Sequence, residues 1–517
     1  MKDKSVLREN IPISLFCLLC IPVFTALFGF SMLLSWVNVE FWNEFVYMRQ
    51  DSVVGNLLWM GIALLFLAAV VKLCEIAGKR CRTDWVALAV SIVCALISIW
   101  WVYTSGTVPQ GDQANICNYA MDLDNGDISC LQQGAYVANC RQQLGLITFV
   151  RILHKIAGGD NYYEGFQYFS ALMVFVMVFS GYQIVKRITR DDRKTEIIYL
   201  LFMLFCVPMY GYAPFVYGEV CSTAAVFLGA WLLLSCMENF HWWKLAALAG
   251  VCGFALQTRL NSLVPLIGFL IVVLVKMIAK PCRQTAAAGI AILAGLLLSQ
   301  AAITGMYARY IPEDSKPIPS ILYIVMGTHD QIQGAPGWYD AYNVELYREM
   351  NWDPDAAGAA ASKDLAAFAQ KCVRDPGYAL DFYTEKMNVQ WNAPMYQCIV
   401  ANNAFGKDWT PLIESVYEGQ IGIFLEKFMN IGQLLLYGGV LFLLLAWRDR
   451  WDRIENYVLL IGVYGGFLFS LLWEAKPRYV FPYMLLMIPY AAAGIARLLK
   501  LVRALISRAF HAPVFRK

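Results

Sequence analysis

Residues 12–37 read PISLFCLLCIPVFTALFGFSMLLSWV, without one Asp, Glu, Lys or Arg. A helix needs about 20 apolar residues to cross the hydrocarbon core of a bilayer, so this run is long enough to span. Lys2, Lys4 and Arg8 precede it. The run is too long for a signal-peptide core and lacks a small-x-small cleavage site, which predicts an uncleaved first span that doubles as an insertion signal. Comparable runs recur near 53–74, 84–103, 166–185, 196–213, 219–237, 243–258, 262–280, 285–307, 428–447, 455–473 and 479–498. The reading is an all-α polytopic membrane protein with about 12 transmembrane helices.

The composition points the same way. The chain is 59% apolar and 15% charged, whereas soluble domains are about a quarter charged. Its mean hydropathy is +0.52. The expected surroundings are a lipid bilayer, and a net charge of +3 gives no sign of a nucleic-acid partner. Many of the 15 cysteines, such as Cys17 and Cys20, fall inside apolar runs, where they act as small hydrophobes. Cys117, Cys130 and Cys140 share one polar segment, and Cys372 and Cys398 another. A disulfide there is an open alternative, and spacing does not decide its connectivity. No Cys/His spacing suggests zinc. No cofactor is expected, and a divalent metal stays open.

Orientation follows from Lys and Arg. With the N-terminus inside, most of the 41 Lys and Arg fall in short alternate segments: KLCEIAGKRCR (72–82), KRITRDDRK (186–194), KMIAKPCR (276–283), WRDRWDR (447–453) and the tail from Arg497. The positive-inside tendency then predicts a cell-membrane protein with both termini cytoplasmic. The expected organisation is an N-terminal pair of spans (1–83), a transmembrane core (84–308) with a first outer segment (104–165), an outer, mainly helical domain (309–427), and final spans with a basic tail (428–517).

Both outer segments carry helical signals. QANICNYAMDL (113–123) and RQQLGLITFVRILHKI (141–156) read as helices lying in the headgroup layer, the second with Arg141, Arg151 and Lys155 on its polar side. SKDLAAFAQKCV (362–373), with Ser362 as a candidate N-cap, and PGYALDFYTEKMNVQW (376–391), opened by Pro376, have helical spacing. GTHDQIQGAPGWYDAYN (327–343) reads as a loop, and DAAGAAASK (355–363) fits a helix start or a mobile loop.

Asp112 follows the third span closely, on a turn containing Pro109 and Gly111. Together with PQGDQANICNYAMDL (109–123) and RQQLGLITFVRIL (141–153), four further pieces fall in order on the predicted outer face: APFVYGEVCS (213–222), QTRLNSLVPLIG (257–268), MGTHDQIQGAPGWYDAYN (326–343) and LLWEAKPRYVFPYMLLMIPYAA (471–492). In this order they resemble the GT-C superfamily of membrane glycosyltransferases, of the bacterial type that decorates surface glycans. The resemblance covers most of the chain from about residue 100. The first two spans, Pro12–Ala77, depart from it.

The resemblance implies transfer of a sugar from a polyprenyl-phosphate-linked donor to an extracytoplasmic acceptor, a cell-surface glycan or a lipid. By it, Asp112 is the general base and Glu219 a second acidic group of the site. Cations must meet the carrier phosphate at headgroup depth. Arg259, Lys476 and Arg478 are the candidates, with Gln143, Tyr217, Asn261, Trp338, Glu474 and Tyr479 as further substrate-binding residues. Each has a plainer reading. Asp112 suits a turn, and Glu219 suits a helix N-terminus. Arg259 can snorkel to headgroups, and Glu474 with Arg478 can pair four residues apart on a helix. Trp338 and Tyr339 can stack on a sugar or anchor at the interface. Asp122, Asp124 and Asp127 lack the spacing of a calcium loop, and His329 reads as structural.

Two other functions fit a chain of this kind. A transporter or flippase of lipid-linked glycans would show mid-span charges and repeat symmetry, neither of which is evident here. A polysaccharide polymerase or ligase would rest on outer arginines such as Arg348 and Arg374 in place of Asp112.

Overall fold

The computed structural model describes residues 4–37, 47–77, 82–330, 335–399, 409–446 and 453–510. Helices α1 (Lys4–Leu33) and α2 (Val53–Ala77) flank an antiparallel ribbon, β1 (Leu34–Val37) with β2 (Tyr47–Gln50), Leu34 opposite Gln50. The first apolar run thus leaves the helix at Leu33, and its last residues form a strand instead of completing the span. After α3 (Thr83–Ser105) come three short helices, α4 (Asp112–Asp124), α5 (Tyr136–Asn139) and α6 (Leu144–Ala157). The chain continues through α7 (Glu164–Ile188), α8 (Arg193–Leu204), α9 (Val207–Gly211), α10 (Glu219–Glu238), α11 (Trp242–Thr258), α12 (Leu263–Ala279) and α13 (Arg283–Tyr307). A polar helical region follows: α14 (Ser320–Met326), α15 (Tyr342–Glu349), α16 (Pro354–Arg374), α17 (Pro376–Trp391) and α18 (Pro411–Tyr417). The last long helices are α19 (Gln420–Leu445), α20 (Val458–Leu472) and α21 (Phe481–Phe510).

The protein is an all-α polytopic membrane protein. Among the described residues, 10 helices are long and apolar enough to cross a bilayer. Each of the other two predicted spans also forms a helix, but a shorter one. The run 196–213 is broken, because Pro208 opens a new turn and Cys206 leaves the helical region at φ −78, ψ 83. Proline lacks the N–H that would continue the ladder. Tyr210 Oη donates to Leu204 O at 2.8 Å, so a carbonyl freed at the break is satisfied inside the apolar layer. Helix α11 has 17 residues, about 26 Å at the usual rise.

Helix α21 runs through the centre of the bundle against α19, α8 and α20. Its contact with α19 is backbone to backbone. A Cβ on Gly494 would stand 1.8 Å from Gly439 O, so only glycine fits, as at close helix crossings in membranes. Helix α1 packs on α19 and α12, and its end is tied to α17 by Ser31 Oγ donating to Asn392 Oδ1 at 2.6 Å. Helix α2 is peripheral, with Val54, Leu57, Leu58 and Leu65 exposed as a lipid-facing surface.

In the polar region α16 begins earlier than the expected Ser362 cap. Asp353 is the N-cap, accepting from Asp355 N and Ala356 N. The alanines between are the strongest helix formers, and Ser362 sits mid-helix, bonded to Gly358 O. Pro376 does open α17. Cys117, Cys130, Cys140, Cys372 and Cys398 do not pair with one another as disulfides. Asp124, at the end of α4, lies 2.7 Å from Arg151 and 2.9 Å from Lys155 of α6, fastening α4 to α6.

Helix α12 leads from Leu263 to an ion cluster at its far end, where Lys276 lies 3.2 Å from Glu9 and 3.1 Å from Glu455. Parts of three basic segments used to orient the chain, residues 78–81, 447–452 and 511–517, lie outside the described residues.

Candidate active site

The chain is forced into two close approaches around Asp112. Helix α3 ends at Gly106 in the left-handed region, and Gly111, at φ 54, delivers Asp112 as the first residue of α4. Two glutamines pin the segment before α10 to this turn. Gln113 Oε1 accepts from Val216 N at 2.7 Å, while Gln167 Nε2 donates to Thr107 O at 3.0 Å and Pro214 O at 2.9 Å. Gly218, at φ +92, then lies so near α11 that a Cβ would stand 2.2 Å from Thr258 O. Tyr217 and Glu219 are thereby set against Arg259.

Tyr217 is the hub. Its Oη donates to Asp112 Oδ2 at 3.1 Å, accepts from Gln143 Nε2 at 2.9 Å and shares a 3.2 Å hydrogen bond with Tyr136 Oη. Burial, and then the Asp112 charge, push the Tyr217 hydroxyl well up from its ordinary value, so it stays a proton donor. Two guanidiniums face its ring, Arg259 at 4.4 Å and Arg478 at 5.3 Å from the centroid, a favourable cation–π placement. Both also lie over Tyr479, at 5.6 Å and 5.2 Å.

The charges alternate. Arg259 lies 3.1 Å from Glu219, with side chains 10% and 2% exposed. Arg478 stands 3.8 Å from Asp112, whose side chain is 41% exposed. Tyr479 Oη donates to Glu474 Oε2 at 3.0 Å, and Lys476 lies 3.8 Å from Glu474. Three carboxylates and three cations cancel formally. One pair is sealed, and the Asp112 pair is loose and open to solvent. A small crevice lined by Ser222, Thr223, Arg259, Asn261, Pro265 and Tyr483 leads from the sealed pair along α10, α12 and α21.

Of the residues nominated from sequence, Asp112, Glu219, Gln143, Tyr217, Arg259, Glu474, Lys476, Arg478 and Tyr479 join one contact network. Asn261 lines the crevice next to it. Trp338 meets it at Lys476, whose ammonium is 5.9 Å from its ring centroid, and is itself 9% exposed. The expected Glu474–Arg478 pairing along a helix does not form. Lys476 is extended and Pro477 opens a 3₁₀ turn, so Arg478 turns to Asp112. His329 binds Asp340 at 2.7 Å. Residues 331–334 of the surrounding loop lie outside the described residues. Among the described residues, no group of three or more His, Cys, Asp or Glu is placed to hold a metal ion.

Sequence reading missed Tyr136 and Lys386. Tyr136 joins the network only because α5 folds back onto the segment before α10, and nothing in its neighbours signals that. Lys386 looks like a surface lysine of an amphipathic helix but is fully buried. Its ammonium donates to Gly327 O and, at 3.1 Å, to Leu471 O, fastening α17 and the loop after α14 to the end of α20. Burial lowers its pKa to about 7.

No family model matches the chain, and no curated relative does either. A solved structure, the Archaeoglobus fulgidus oligosaccharyltransferase tethered by a disulfide bond to an acceptor peptide containing the NVT sequon, aligns with a TM-score of 0.42 at 12% identity. The alignment covers 83% of this chain and 51% of that one, so this chain spans about half the length of that protein.

Proposed function

We propose that the protein is an integral membrane glycosyltransferase of the GT-C type, moving a sugar from a polyprenyl-phosphate donor to an acceptor on the extracytoplasmic side of the cell membrane. The observation that carries this reading is the pairing of the half-open Asp112 carboxylate with the Arg478 guanidinium 3.8 Å away, at the end of the helix bundle. A base and a phosphate-binding cation thus share one opening. The ordered sequence pieces that resemble the superfamily contribute these same residues.

The chemistry follows from the charges. The acceptor hydroxyl attacks the anomeric carbon, Asp112 takes its proton, and the bond from carbon to phosphate oxygen breaks with its electron pair on the phosphate. A phosphate leaves without protonation, so one base suffices. Tyr217 fixes the Asp112 carboxylate by its hydrogen bond. Arg478 is drawn to the phosphate because its tie to Asp112 is long and partly solvated. Arg259 stays locked to Glu219 and packs over the Tyr217 and Tyr479 rings, which keeps those rings in place around Arg478. The crevice from Arg259 lies where the carrier's first apolar units meet the helices.

The test is Asp112→Asn, purified with its fold intact and supplied with a defined polyprenyl-phosphate sugar and a membrane or glycan acceptor fraction. Transfer is expected to fall by at least about a hundredfold, the lower end of what a positioned base contributes. Wild-type transfer by this variant would remove Asp112 from the reaction.

A further inference from the structure

Among the described residues of the loop after α14, Tyr339 is the large aromatic ring left open. Its neighbour Trp338 is 9% exposed, whereas Tyr339 is 46% exposed. The loop beneath it is held at several points. Gly337 N donates to His329 O at 2.8 Å, Ala475 N donates to Gly337 O at 2.7 Å, and Trp338 N donates to Ala335 O at 3.0 Å. Asp340 is bonded to His329 at 2.7 Å and accepts from Tyr342 N at 3.0 Å. The buried Lys386 fastens Gly327 from below. A solvent-exposed ring on a loop this firmly tied loses little freedom on binding a ligand.

The surroundings of the ring are polar. The Lys476 ammonium is 5.9 Å from its centroid. Glu474 lies 3.8 Å from that ammonium, and burial, followed by the Glu474 charge, raises the pKa of the Tyr339 hydroxyl. A ring facing lipid would not have this company, since charges in contact with hydrocarbon are costly. An aromatic face bordered by an ammonium with its paired carboxylate matches a pyranose. The ring's negative face receives the sugar's C–H groups, and the charged groups take its hydroxyls.

We infer that Tyr339 is the platform of a pyranose-binding subsite for the acceptor, with Lys476 and Glu474 at its edge. This rests on the proposed transferase reading for the word acceptor. The side assignment comes from exposure. Tyr339 and Asp112 are both open, at 46% and 41%, whereas Arg259 at the crevice and its partner Glu219 are 10% and 2% exposed.

The experiment is saturation-transfer NMR on the detergent-solubilised full chain. The probes are methyl α- and β-glucopyranoside, methyl β-galactopyranoside and methyl N-acetyl-β-glucosaminide. At least one glycoside should show saturation of its ring C–H protons with the wild-type protein and with Tyr339→Phe. Tyr339→Ala should weaken its affinity by about fivefold to tenfold, the contribution of one stacked ring. No saturation by any of the four, or equal affinity in Tyr339→Ala, overturns the subsite. Displacement of the bound glycoside by a polyprenyl-phosphate sugar would assign the platform to the donor and overturn the acceptor claim. Asp112→Asn should keep the saturation signal while losing transfer. A chain that binds glycosides at Tyr339 but transfers no sugar refutes the enzymatic reading and leaves the subsite standing.

Discussion

Glu219 and Arg259 face each other at 3.1 Å, and the carboxylate is only 2% exposed. Removing one partner of such a pair leaves an uncompensated buried charge. Glu219→Ala is expected to destabilise the protein by about 3–5 kcal/mol. The double variant Glu219→Ala/Arg259→Met should recover much of that loss, because it removes both charges. Thermal unfolding in detergent, followed by tryptophan fluorescence, measures both. A double variant no more stable than Glu219→Ala would show that the pair is not the source of the loss.

Arg478 differs from Arg259 in having a looser partner. Under the proposed function, Arg478→Ala should weaken binding of a polyprenyl phosphate by about tenfold to a hundredfold, the usual range for a charge-assisted hydrogen bond. Arg478→Lys should recover only part, since an ammonium does not stack on Tyr217 or present two donors in a plane. Titration with radiolabelled polyprenyl phosphate in nanodiscs reads the dissociation constants. Unchanged binding in Arg478→Ala would take this residue out of carrier recognition.

Lys386 makes stability depend on pH. Its pKa is lowered from an ordinary 10.5 to about 7 in the folded protein. Between those values the unfolded chain binds more protons than the folded one, so this residue's contribution makes stability rise with pH across that window. Below about pH 7 the full cost of burying the charge is present. Lys386→Met should flatten that slope. It should also lose about 1–3 kcal/mol, because Gly327 O and Leu471 O are left without their donor. Melting curves of the two proteins from pH 6.5 to 10 test this, and parallel pH dependences would contradict it.

Gly494 offers a packing test away from the site. An added methyl has no room against Gly439 O, so Gly494→Ala must push α21 from α19. A loss of at least about 1–3 kcal/mol is expected, as for overpacked cores. Gly29, with nothing within 4 Å of its added Cβ, is the control: Gly29→Ala should be neutral or slightly stabilising, given glycine's helix penalty. Equal melting temperatures for Gly494→Ala and wild type would refute the close crossing.

The spans were legible because hydrocarbon thickness imposes a length on apolar runs, and that constraint is local. Breaks within a run are harder to read. Pro208 sits among residues as apolar as any span, so only the backbone geometry at Cys206 reveals the interruption. The ends of α16 show the same limit, since Ser362 and Asp353 both suit a cap and the alanines between them decide. Around Asp112, the charged residues were legible by their shared position at span ends. Their partners were not, because contacts such as Tyr136 with Tyr217 span 81 positions and depend on how α5 folds back. Lys386 was hidden for a different reason. Its residue type argues for the surface, and only the carbonyls facing it reverse that.

The cancelling charges around Tyr217 have a calorimetric consequence. Among the described residues three acids already balance three bases there, so an arriving phosphate that draws Arg478 to itself leaves the Asp112 carboxylate without its counter-charge. The least costly response is to take up hydrogen ions from the solution along with the ligand. The heat of polyprenyl-phosphate binding should therefore change with the ionisation enthalpy of the buffer. The slope of that dependence counts the ions that travel with each lipid.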